Sequence, residues 1–125
     1  MEEDKRRCVR LNIELPASFK VHKSQEHISH ASSLDVSALG LRLLTREPLE
    51  KGQIFPIRII LPDQQRLTLT VEVVWAKREE ASITEDYLAG VRIVTGKQPE
   101  DETKYVKFFA KEFLNQQKPP APEKG

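Results

Sequence analysis

A chain of 125 residues suits one domain around one hydrophobic core. Charged residues make up 31% of it but nearly cancel to a net charge of +1, which excludes broad electrostatic binding to nucleic acid or a membrane surface and confines any basic site to a local cluster. Cys8 is the only cysteine, so no intramolecular disulfide forms and a reducing cytoplasm is the expected home. The N-terminal Met1-Glu2-Glu3-Asp4 is acidic and does not read as a signal peptide. No apolar run approaches the roughly 20 residues that span a bilayer.

Residues 1–10 are polar and read as a flexible arm that carries Lys5, Arg6, Arg7 and Arg10. From Leu11 the pattern changes. Leu11, Ile13, Leu15, Ala17, Phe19 and Val21 fall at every second position, which predicts a strand with one buried face over 11–21. Pro16 sits in the outward phase and marks an edge or a bulge. Residues 22–30 read as a turn, and 28–34 as a returning strand of weak alternation. Asp35-Val36-Ser37-Ala38-Leu39-Gly40 follows as a tight corner. Short polar side chains there bond nearby amides, and Gly40 lacks a Cβ.

Leu41 to Leu44 predicts a third strand, and Glu47 to Gly52 a turn. Ile54 to Leu61 is a fourth strand. Leu67, Leu69, Val71, Val73 and Trp75 alternate with polar residues as a fifth, whose inward phase assigns Trp75 to the core. Lys77 to Asp86 reads as a charged loop and Tyr87 to Val94 as a sixth strand. Six short strands with connections too short for parallel crossovers predict a small antiparallel barrel or sandwich. Pro99 with Glu100, Asp101 and Glu102 opens a helix, and Tyr105, Phe108, Phe109 and Phe113 form one aromatic face that packs over the barrel. The expected organisation is an arm at 1–10, a barrel at 11–95, a helix at 96–116 and a disordered tail at 117–125.

The chain shows no catalytic constellation and is not expected to be an enzyme. It matches neither a phosphate-binding Gly-rich loop nor a nucleophile elbow. His22, His27 and His30 do not have zinc-ligand spacing, and Cys8 is a lone thiol, so neither metal nor cofactor is expected. What remains is a two-part polar set: Arg6, Arg7 and Arg10 from the arm, and Asp35, Ser37 and Gly40 from the corner. A guanidinium matches the O6 and N7 acceptors of guanine or two phosphate oxygens, and its flat face stacks on a base. A carboxylate complements guanine's donor edge. This chemistry permits a guanine nucleotide without selecting one.

Arg6-Arg7-Cys8-Val9-Arg10 and Asp35 to Gly40 resemble, in order and in full, the Arg-x-x-x-Arg and (Asp/Asn)-x-Ser-x-x-Gly motifs of PilZ domains, bacterial modules that bind the second messenger cyclic di-GMP. Pro48 to Gly52, the Val73-Val74-Trp75 strand end and Tyr87 to Val91 are also similar to the family, so the resemblance covers roughly residues 5–115. It implies an all-β fold, a six-stranded antiparallel β-barrel with a C-terminal α-helix. It also implies that Arg6 and Arg10 grip guanines and phosphates with Arg7 assisting. Asp35 and Ser37 would contact a guanine and the arm, Gly40 would allow close approach, Trp75 would stack near the ligand unless its inward phase holds it in the core, and Lys5 would influence whether one ligand or a stacked pair binds. The arm would order on binding and present a new surface to a downstream protein. The exposed helix face and the Lys77–Asp86 loop are the candidate contacts. Two other readings compete: a PilZ-type adaptor that works through protein contacts without nucleotide, and a barrel that binds RNA or single-stranded DNA. The second wants surface aromatics interleaved with basic residues, and the aromatics here fall mostly at core phases.

Overall fold

The computed structural model describes residues 9–22, 26–78 and 86–117. Six strands, β1 Pro16–Phe19, β2 Ser29–Ser37, β3 Gly40–Thr45, β4 Ile54–Ile60, β5 Arg66–Arg78 and β6 Tyr87–Ile93, are followed by one helix, α1 Pro99–Gln117. All strand pairs are antiparallel, and the sheet closes as a barrel in the order β1-β2-β3-β6-β5-β4, with β1 joined to β4. Closure leaves no free sheet edge. The fold class expected from the sequence is the one found. Among the described residues no helix is long and apolar enough to cross a membrane.

The core is the inward set of the alternating strands. Phe55, Ile57 and Ile59 of β4 face Leu67, Leu69, Val71 and Val73 of β5, with Leu41, Leu43, Val91 and Ile93 completing the wall. Phe19 stacks on Phe55 with ring centroids 4.9 Å apart. Of the strand expected over 11–21, only Pro16–Phe19 forms. Burial still alternates, with Leu11, Leu15, Ala17 and Phe19 inside, but the hydrogen bonding breaks. Pro16 has no N–H to donate, and residues 11–15 run beside an irregular part of β2. Leu11 bonds Val36 in both directions at 2.8 and 2.9 Å, while the Leu15 N–H goes to the Ser33 hydroxyl at 2.8 Å.

That irregularity is a β-bulge. The β2–β3 register shifts between Ser33 and Asp35, leaving Leu34 as the extra residue. A bulge reverses the inside–outside phase beyond it. Ser33 therefore pairs with core-facing Leu43, whereas Asp35 pairs with outward-facing Arg42 and Ser37 with Gly40. A second bulge on β5, between Val73 and Trp75, does the same to the end of that strand. Trp75 consequently leaves the core and stands 38% exposed on the outer wall. The inward phase read from alternation fails at this residue because one inserted position turns every later side chain over.

α1 lies over the barrel, with Tyr105 and Phe109 in the core and Phe108 and Phe113 partly buried against it. Its start is held by Glu102, whose carboxylate accepts the N–H groups of Gly96, Lys97 and Gln98 at 2.8, 3.0 and 2.7 Å. Those donors have no helical partner and satisfy the carboxylate instead. Asp101 accepts the Thr68 N–H at 2.9 Å and Gln98 bonds Thr70, so the first turn is tied to β5.

Candidate functional site

The stretch expected to be a six-residue corner is mostly strand. Asp35 and Ser37 end β2, Gly40 opens β3, and only Ala38 and Leu39 form the turn. A two-residue hairpin favours positive φ at its central residues because that twist matches the strands. Among the described non-glycine residues only Gln64 has positive φ. Ala38 and Leu39 therefore make a turn of the less favoured hand, and side chains hold it. The Ser37 hydroxyl accepts the Leu39 and Gly40 N–H groups at 3.3 and 3.2 Å. From the other side the Tyr105 hydroxyl donates to the Ser37 carbonyl at 2.6 Å and lies 3.2 Å from the Gly40 carbonyl. Burial raises the Tyr105 phenol well above its ordinary value. The Ser37 bond and the Arg10 charge oppose this shift, and the Asp35 carboxylate adds to it.

Gly40 does not adopt positive φ. It is required by close approach: a Cβ there would meet the Val91 carbonyl oxygen of β6 at 2.1 Å. Asp35 points to the outer wall yet its side chain is only 5% exposed, because two arginines cover it. Arg10 Nη1 lies 3.0 Å from Asp35 Oδ1, and Arg42 Nε lies 2.8 Å from Oδ2. The carboxylate is fully engaged. Both guanidinium groups stay open to solvent on their far sides, with side chains 48% and 39% exposed.

Beside this pair runs a shallow groove of about 130 Å³. Ser37, Gly40 and Gly90 lie along it, flanked by Arg10, Trp75 and Arg92, with Leu39 and Val74 at its lips. Trp75 rests on Gly90, where a Cβ would fall 2.4 Å from the indole Nε1. Arg92 is ion-paired with Glu72. Of the six predicted site residues, the structure brings Arg10, Asp35, Ser37 and Gly40 together; Arg6 and Arg7 lie outside the described residues. Sequence reasoning missed Arg42, Arg92 and Tyr105. Arg42 was within reach, since it occupies the polar phase of Leu41-Arg42-Leu43 just past the hairpin. Tyr105 was not, because nothing local connects a helical tyrosine to a turn 65 residues earlier. Among the described residues no group of three or more side chains is placed to hold a metal ion.

A sequence profile of the PilZ domain matches residues 4–111. The chain belongs to the PilZ domain family. Several solved structures share its barrel, among them three from Bacillus subtilis, K. pneumonia and Escherichia coli. The Bacillus subtilis inhibitor of motility MotI/DgrA aligns with a TM-score of 0.70 at 16% identity, over 89% of this chain and 52% of that one. MrkH of K. pneumonia in its apo state aligns with a TM-score of 0.70 at 16% identity, over 88% and 51%. The PilZ domain of Escherichia coli YcgR, solved with c-di-GMP, aligns with a TM-score of 0.66 at 13% identity, over 90% and 96%. This PilZ domain thus spans about half the length of the first two proteins and nearly all of the third. No curated protein matches it in sequence.

Proposed function

We propose that this PilZ domain is a bacterial receptor for cyclic di-GMP that binds its ligand on the outer wall of the barrel. The observation that carries the reading is the 3.0 Å pair between Arg10 and Asp35 beside the Ser37–Gly40 hairpin. It sets the last arginine of Arg-x-x-x-Arg against the first residue of Asp-x-Ser-x-x-Gly. Arg10 then offers a guanidinium already oriented by a buried carboxylate, free to stack on a guanine or to fork onto phosphate. Trp75, seated against Gly90, supplies an aromatic ring, and Arg92 and Arg42 supply further positive charge. The c-di-GMP-bound YcgR domain supports the ligand class at the level of fold. Ligand pockets commonly enclose about 300–1,000 Å³, and the groove is smaller at about 130 Å³. Arg6 and Arg7 on the arm are therefore assigned the open side of the ligand.

In this reading the chain acts by binding in the cytoplasm, not by catalysis, and hands its signal to a partner protein. The outward face of α1 is the proposed contact. Leu114 is exposed there beside Lys107 and Lys111, with exposed Val106 at the edge of the same face. That face suits a partner segment with an apolar ridge flanked by carboxylates. Calorimetric titration with cyclic di-GMP, GTP and cyclic GMP tests the receptor. We expect binding of cyclic di-GMP alone, lost in Arg6→Ala and Arg10→Ala. Absence of heat with cyclic di-GMP, together with an unchanged Tm, leaves a nucleotide-free adaptor.

A further inference from the structure

Ser37 has an unusual set of bonds. Its oxygen already accepts two N–H groups, from Leu39 and Gly40. Its single proton points to the Gly40 carbonyl at 3.3 Å, longer than the roughly 2.5–3.0 Å of an O–H···O bond. The same carbonyl lies 3.2 Å from the Tyr105 hydroxyl, which is fully buried and donates at 2.6 Å to the Ser37 carbonyl. Two hydroxyl groups thus compete for one carbonyl oxygen, one on the barrel's inner side and one on the groove.

We infer that Tyr105 is a positioning residue for the ligand site: its hydroxyl serves the Ser37 and Gly40 carbonyls from inside the barrel, so that the Ser37 proton is released to an anionic oxygen of the ligand in the groove. Burial keeps the phenol protonated and hence a donor. When the Ser37 proton turns to the ligand, with its oxygen still accepting from Leu39 and Gly40, Tyr105 shares its own proton more evenly between the two carbonyls. The change at the groove is thereby felt on α1. The inference rests on the receptor reading, and it gives the helix a part in recognition that neither motif contains.

The test is a double-mutant cycle on cyclic di-GMP affinity with Tyr105→Phe and Ser37→Ala. Tyr105→Phe is expected to weaken binding about ten-fold, about 1.4 kcal/mol, when Ser37 is present, and hardly at all in the Ser37→Ala background. Equal losses in both backgrounds describe a merely structural tyrosine and overturn the inference, as does no loss in either. No binding by the unaltered chain overturns the receptor reading and the inference together. If Tyr105→Phe does not fold, 3-fluorotyrosine is incorporated at the chain's two tyrosines, Tyr87 and Tyr105, and Tyr87→Phe assigns the fluorine signals. The Tyr105 signal is expected to move on ligand saturation. An unmoved signal overturns the inference.

Discussion

Gly40 and Gly90 both lie in strands of the outer wall, and the same substitution should separate their roles. At Gly40 the obstacle to a Cβ is backbone, with the Val91 carbonyl at 2.1 Å and Arg92 Cα at 3.0 Å. Gly40→Ala must push β3 away from β6, which disrupts the ladder of a closed barrel. Overpacking of this kind costs about 1–3 kcal/mol, so thermal unfolding should fall clearly. At Gly90 the obstacle is the Trp75 indole, with Nε1 at 2.4 Å and Cε2 at 2.6 Å. That ring is partly exposed and can swing away. Gly90→Ala should therefore leave the melting temperature close to that of the parent while lowering cyclic di-GMP affinity. Emission from the chain's one tryptophan should shift, since it loses its seat. A shifted emission with unchanged affinity would show that Trp75 has no part in binding.

At the scale of elements, α1 is held in opposite senses at the two ends of the pH scale. Glu102 accepts three N–H groups ahead of the helix, the bond from Gly96 weighing most, and these hold its carboxyl below its ordinary value of 4.5. A depressed carboxyl contributes stability that is present above the unfolded value and is lost as pH falls through the folded one. Tyr105 is displaced the other way, raised above its ordinary 10.0 mainly by burial, so its contribution is present below that value and is lost as pH rises through the folded one. The protection of amides over residues 100–105 against exchange, relative to an unfolded chain at the same pH, should therefore fall below about pH 4. Glu102→Gln should remove much of the acid-side dependence; retention of the full dependence would assign it to other carboxyl groups. The elements themselves were largely legible beforehand, because alternation over Ile54–Leu61 and Leu67–Val73 and the aromatic spacing from Tyr105 to Phe113 are local signals. Bulges are not. The insertion at Leu34 blurred the alternation of β2 and made Asp35 to Gly40 look like one long turn, and the insertion at Val74 sent Trp75 outward against its apparent phase. Both bulges adjoin the proposed site, where re-aiming a side chain is what a bulge does.

At the scale of the whole molecule, the barrel and the recognition arm are proposed to be separable. The described core begins at Leu11, and its hydrogen bonds to Val36 fasten the chain at that point. Residues 1–8 precede the described core and carry Arg6 and Arg7. A chain starting at residue 9 should keep its melting temperature within roughly 4 °C of the parent, a shift that corresponds to less than about 1 kcal/mol in a small domain. The two forms should differ once ligand is added. At 100 times Kd a ligand bound only by the folded state adds about 2.7 kcal/mol, a rise on the order of 10 °C for the full chain. The shortened chain keeps Arg10, Asp35, Ser37 and Trp75, but its groove of about 130 Å³ is left without a second side, so its rise should largely vanish under the same conditions. Salt adds a further discrimination, because the net charge is only +1 and one small ligand engages few phosphates. The rise for the full chain should then depend weakly on ionic strength, unlike the steep loss of a surface that neutralises many phosphates. A shortened chain that keeps the full rise would place all of recognition on the barrel wall and leave the arm with the signal alone.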